Sequence, residues 1–94
     1  MTDVYLGSYG QEIEVSVTLD GVPLELAGTA SEFTFISPNG DRTPKPAEKG
    51  TGIASYVIEE GLLSEAGIWN AILSITTDDA LYFFPFWFEV QSLP

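Results

Sequence analysis

Apolar and polar residues alternate with a period of two along most of the chain. Ile13, Val15, Val17 and Leu19 alternate with Glu12, Glu14, Ser16 and Thr18, the pattern of a strand with one buried and one wet face. Asp20-Gly21 follows directly and predicts a two-residue hairpin turn, because both positions must take φ > 0. Val22, Leu24 and Leu26 resume the alternation, and Pro23 puts this arm at an edge or a bulge. Phe33 and Phe35 alternate with Glu32 and Thr34, and Pro38-Asn39-Gly40 closes that strand in a turn. Residues 41–52, with two prolines and two glycines, read as a loop.

Beyond that loop Ala54, Tyr56 and Ile58 share one face. Trp69, Ala71, Leu73 and Ile75 form the next apolar set, with Asn70, Ser74 and Thr76 on the other side. Thr77-Asp78-Asp79 is a turn, and residues 81–90 form the last strand, with Phe84, Phe86, Phe88 and Val90 as its core face. Helical periodicity is confined to Leu62–Ala66, about one turn, with Ser64 as a possible cap. Short strands separated by turns predict an all-β fold, an immunoglobulin-like antiparallel β-sandwich of six to eight short strands. With 94 residues and neither repeat, low-complexity tract nor linker, the chain reads as a single domain, 1–94.

Composition narrows the chemistry. No cysteine is present, so disulfides, thiolate metal sites and thiol catalysis are excluded. No histidine is present either, which removes the commonest general base and the commonest zinc ligand. Glu59-Glu60 and Asp78-Asp79 are adjacent carboxylates beside turns, where solvated charge is the ordinary role; the serines have no base to activate them. Catalysis is therefore not expected. Asp20, Asp41, Asp78 and Asp79 could offer oxygen ligands to calcium, but their spacing matches no metal loop, so no metal and no cofactor is expected. The net charge of −11 repels nucleic acid and anionic membranes. No apolar run approaches the ~20 residues needed to span a bilayer. Met1-Thr2-Asp3 opens no signal peptide, and Met1 reads as the start of a cytoplasmically made chain.

Two features point to partners. The three basic residues, Arg42, Lys45 and Lys49, fall close together. They make a basic loop suited to docking on an acidic surface or on another copy, or simply a solubilising connection. The last strand, Leu81-Tyr82-Phe83-Phe84-Pro85-Phe86-Trp87-Phe88, is apolar on both faces. With Phe84, Phe86 and Phe88 inside, Leu81, Phe83 and Trp87 point outward, and Tyr82 lies near the strand end. Either an intermolecular interface, or a loop or the Val4-Tyr5-Leu6 segment of the same chain, then covers them. The candidate interface is Leu81, Tyr82, Phe83, Trp87 and Tyr5, with Arg42, Lys45 and Lys49.

In order along the chain come Val4-Tyr5-Leu6-Gly7-Ser8-Tyr9-Gly10, the hairpin Val17–Leu24, Phe33-Thr34-Phe35-Ile36-Ser37-Pro38-Asn39-Gly40, Gly52-Ile53-Ala54-Ser55-Tyr56-Val57-Ile58, Leu63–Trp69 and Pro85-Phe86-Trp87-Phe88-Glu89-Val90. This series resembles the immunoglobulin-like modules of tailed-phage virions, and above all the N-terminal domain of the phage baseplate upper protein family. The resemblance implies a virion structural protein made in the host cytoplasm: an adaptor of the tail or baseplate, present in several copies and bound to other virion proteins rather than to nucleic acid or membrane. The chain ends at Pro94, just past its last strand, so a stand-alone module is expected rather than one carrying a fibre in the same polypeptide. A capsid decoration or cement protein is the alternative role. A carbohydrate-binding module using Trp87 and Tyr82 is the alternative of another class.

Overall fold

The computed structural model describes residues 4–26 and 29–93; the readings made at Met1–Asp3 and Pro94 lie outside them. The described residues form ten strands and no helix: β1 (Val4–Tyr5), β2 (Glu12–Ser16), β3 (Thr18–Leu19), β4 (Val22–Pro23), β5 (Ala30–Ile36), β6 (Arg42–Pro46), β7 (Glu48–Gly50), β8 (Ile53–Val57), β9 (Gly67–Thr76) and β10 (Leu81–Gln91).

Turn chemistry joins neighbouring strands as their sequences dictate. Asp20 and Gly21 take φ of 53° and 80°, and Leu19 pairs with Val22 across them, which makes the two-residue hairpin expected of Asp-Gly. Between β5 and β6 the buried Ser37 closes the turn: its carbonyl accepts from Gly40 N–H at 2.8 Å, and its hydroxyl accepts from Asp41 N–H at 3.1 Å. Between β9 and β10 the Thr77 hydroxyl accepts from Ala80 N–H at 3.0 Å. Residues Leu62–Ala66 form no helix; they make bends between β8 and β9.

The strands assemble into a five-stranded sheet of order β1-β10-β9-β5-β6, a three-stranded sheet of order β2-β8-β7, and the small β3-β4 hairpin. The first pair, β1 with β10, is parallel; the other pairs are antiparallel. The two larger sheets face each other. Phe33 and Phe35 on β5 meet Tyr56 on β8 at ring-centroid distances of 6.4 and 5.4 Å. Phe88 stacks on Trp69 at 6.3 Å and meets Phe35 edge-on at 6.4 Å. Leu73, Ile75, Val17, Leu26, Ile58, Leu63 and Val90 complete one continuous core. The protein is thus all-β and sandwich-like.

Two corrections concern the strands themselves. The stretch 41–52 is not a loop: it contains β6, which edges the five-stranded sheet, and β7, which belongs to the other sheet, so the chain changes sheets near Ala47. Its prolines misled because they suit an exposed sheet edge as well as a turn. The strands also exceed the six to eight expected, because β1, β3 and β4 are two-residue pieces.

Candidate protein-docking surfaces

Alternation along β10 divides its aromatic residues between two environments. Odd positions face out of the five-stranded sheet, and Leu81, Phe83 and Trp87 are 52%, 60% and 64% exposed. Even positions face the other sheet: Phe88 and Val90 are buried, while Tyr82, Phe84 and Phe86 are half-buried against the core. Tyr82 therefore belongs to the inner face and does not join Leu81, Phe83 and Trp87. The Val4-Tyr5-Leu6 segment does not cover the outer residues, since β1 pairs with β10 at Val90 and Gln91. Tyr5, 37% exposed, sits at that far end.

Register extends the outer patch across the sheet. Pro85 lies beside Ile72, Ile72 beside Thr34, and Thr34 beside Pro44. Glu89 lies beside Ile68, which is 46% exposed. Ile36, Ile68 and Ile72 thus share a face with Phe83 and Trp87. The sequence held this signal, because Ile68 and Ile72 have the parity of Asn70 and Ser74, and Ile36 that of Glu32 and Thr34. Ile36 and Ile72 are half-buried, so the exposed apolar patch is Leu81, Phe83 and Trp87 on β10 with Ile68 on β9; single exposed apolar residues are ordinary, whereas a cluster of large ones marks an interface.

The basic residues do not act together. Arg42 is exposed at the rim of the outer face, in register with Ile36. Lys45 has the opposite parity and forms an ion pair with Glu59 at 3.1 Å. Lys49, on the other sheet, donates to the Thr29 carbonyl at 2.6 Å. The expected basic docking loop is therefore dispersed over two sheets, because strand alternation and the sheet change separate what sequence proximity joined.

A polar cleft of about 390 Å³ lies where β5, β6 and the 59–65 bends meet, lined by Ser37, Asp41, Lys45, Glu59, Glu65 and Trp69 among others. The Lys45 ammonium, followed by the Tyr56 hydroxyl, holds the Glu59 carboxyl below its usual range. Burial, followed by the nearby Glu59 carboxylate, pushes the Tyr56 phenol up to about 12. Asn39 donates to the Glu65 carboxylate, and Trp69 Nε1 donates to the Glu65 carbonyl at 2.9 Å. These contacts fasten the 59–65 segment to the sheets. Among the described residues no three His, Cys, Asp or Glu side chains converge as a metal site, and no helix is long and apolar enough to cross a membrane.

A second apolar surface was not anticipated. Ile13 and Val15 point inward from β2 yet remain half-buried. They line a groove of about 770 Å³ with Val4, Ile58, Phe86 and Phe88, along the margin where β2 has no neighbour on its outer side among the described residues. Period-two alternation reports only that a residue faces inward. Whether another strand closes the sandwich over it depends on sheet order. On the solvent face of β2, a hydrogen bond with Glu14, then burial and the Glu14 charge, raise the Glu12 carboxyl above its usual range. No protein-family model matches this chain, and no curated protein matches it at a significant level.

Proposed function

We propose that this chain is a structural protein of a tailed-phage virion, an immunoglobulin-like adaptor of the tail or baseplate that holds other virion proteins together. The observation that carries the assembly role is the outer face of the five-stranded sheet. Leu81, Phe83 and Trp87 are more than half exposed there, on a chain whose net charge of −11 keeps it dissolved on its own. Burying such side chains in an interface is worth roughly 1.5–3 kcal/mol each. Aromatic anchors inside a polar rim are the usual anatomy of a protein contact.

Strand order supports the finer fold. In the immunoglobulin arrangement, β2, β8 and β7 correspond to strands B, E and D, while β5, β9 and β10 correspond to C, F and G, with β6 as C′. The virion setting rests on the resemblance of the series of short motifs to those of baseplate upper proteins. The polar cleft has the Lys45–Glu59 pair and turn carboxylates but no histidine or cysteine, which favours a binding role over catalysis.

Mass spectrometry of separately purified heads and tails, from the phage that encodes the chain, tests this reading. Recovery with tails is the expected result. Recovery with heads would replace the adaptor by a decoration protein, and absence from both would overturn the virion role. A Phe83→Ser/Trp87→Ser variant should fold but fail to be incorporated; normal incorporation would overturn the outer face as the contact surface.

A further inference from the structure

The sheet edges of this protein differ in one chemical respect. On β6, the Ser37 N–H donates to Asp41 O at 2.9 Å and continues the ladder with β5. This fixes Thr43 and Lys45 as bonded positions and turns the backbone of Arg42, Pro44 and Pro46 outward. Two of those three outward positions are prolines and lack an N–H. On β10, the Thr77 N–H bond to Ala80 O at 2.8 Å sets the phase, so the outward row is Leu81, Phe83, Pro85, Trp87 and Glu89, broken at its middle by Pro85. The three-residue β7 turns only Lys49 outward. Edges blunted by proline, lysine or shortness resist strand addition.

The β2 edge carries none of these devices. Ile58 N–H donates to Gln11 O at 2.8 Å, and Val17 N–H donates to Gly52 O at 2.8 Å. The odd residues therefore bond to β8, and the N–H and C=O groups of Glu12, Glu14 and Ser16 point to the open side. Directly beneath that edge lies the apolar groove lined by Ile13, Val15, Phe86 and Phe88. Among the described residues nothing pairs with this backbone row or fills the apolar groove beside it, and that is the geometry that accepts an added strand.

We propose that the β2 edge binds one extended segment of a different polypeptide, in which apolar side chains entering the groove alternate with Lys or Arg side chains set beside Glu12 and Glu14. Parity dictates this pattern. Residues of an incoming strand opposite Ile13 and Val15 point into the groove, and those opposite Glu12 and Glu14 point to solvent. Charge selects the partner. A second copy pairing through its own β2 would gather the Glu12 and Glu14 carboxylates of both chains on one face, and would join two molecules of net charge −11. A basic strand instead places opposite charges across the new ladder. This site is separate from the outer face of the five-stranded sheet and stands whether or not the virion role holds.

The test titrates the protein with the capped peptide Lys-Val-Lys-Val-Lys-Val-Lys, with its non-alternating isomer Lys-Lys-Lys-Val-Val-Val-Lys as control, and follows amide signals and hydrogen exchange by NMR. The alternating peptide should bind at least tenfold more tightly than the isomer and protect the amides of Glu12, Glu14 and Ser16. Glu14→Pro removes one outward N–H without touching the β8 ladder, and should weaken binding at least tenfold while the fold persists. Glu12→Lys/Glu14→Lys should do the same through charge, and Phe83→Ser should leave binding unchanged. Equal binding of both peptides, protection centred on β10 instead of β2, or indifference to Glu14→Pro would overturn the proposal. So would self-association of the free protein that Glu14→Pro abolishes, since the occupant would then be a second copy.

Discussion

Trp87 and Arg42 stand at opposite ends of one row across the outer face of the five-stranded sheet, joined by register through Asn70 and Ile36. The aromatic anchor and the exposed cation thus belong to one surface, although 44 positions lie between them in the sequence. The row also delimits that surface: apolar side chains occupy the β10 side, and the guanidinium lies at the β6 rim.

Residues on this face touch little of the protein's own core, so their removal leaves folding nearly unchanged. Phe83→Ser and Trp87→Ser should each alter unfolding stability by no more than about 0.5 kcal/mol. Phe35 is fully buried between Phe33, Tyr56 and Phe88, and Phe35→Ala should cost about 3–5 kcal/mol. Urea titrations followed by circular dichroism measure both. A loss at Phe83 comparable with that at Phe35 would show that the outer face packs on part of this same chain.

Gly52 is the joint between the hairpin and the three-stranded sheet. Its N–H donates to Leu24 O at 2.8 Å, and its carbonyl accepts from Val17 N–H at 2.8 Å. It holds φ +72°, and a Cβ there would come within 2.6 Å of the Pro23 ring. A left-handed backbone costs a non-glycine residue about 1–2 kcal/mol, and the collision adds overpacking of about 1–3 kcal/mol. Gly52→Ala should therefore destabilise by at least about 2 kcal/mol. Gly21→Ala has the same sign of φ but open space around it, and should cost less. Thermal melts of the two variants side by side separate the steric part from the backbone part.

Trp69 joins the core to the 59–65 segment through both faces of its chemistry: its ring stacks on Phe88, and its Nε1 donates to the Glu65 carbonyl. Trp69→Phe keeps an aromatic ring and loses the donor, so a cost of about 1–3 kcal/mol is expected. The accompanying sign is faster amide exchange across residues 59–65, detectable by hydrogen exchange. Uniform loss of protection across the sheets would instead assign the residue to bulk packing alone.

Parity was the legible part of this fold. Period-two alternation separates Phe83 from Phe84 and Trp69 from Asn70, because adjacent side chains in a strand must take opposite faces. Asp20-Gly21 announces its hairpin because few other pairs tolerate its backbone angles. Sheet order was not legible, and it decides the rest. Lys45 and Arg42 diverge because β6 is a strand, and Lys49 leaves them because the chain crosses to the other sheet. The groove beside Ile13 and Val15 exists because, among the described residues, no strand follows β2 outward in the sheet, a property of long-range assembly that local pattern does not encode.

Tyr56 gives the protein an alkaline signature. Its ring is buried against Phe33 and Phe35, and its hydroxyl has no hydrogen bond of good geometry. Burial, then the Glu59 carboxylate, pushes the phenol from 10.0 to about 12 in the folded state. The unfolded chain releases this proton first. Stability is therefore complete below pH 10 and falls as pH rises from 10 to 12, by about 1.4 kcal/mol per pH unit for one proton. Tyr56→Phe removes the proton and the unsatisfied hydroxyl together. At neutral pH it should change stability by less than about 1 kcal/mol, while the difference from wild type grows in its favour above pH 10. Urea midpoints measured from pH 8 to pH 11.5 for both proteins check this, and parallel pH profiles would show that Tyr56 ionises alike in the folded and unfolded chains.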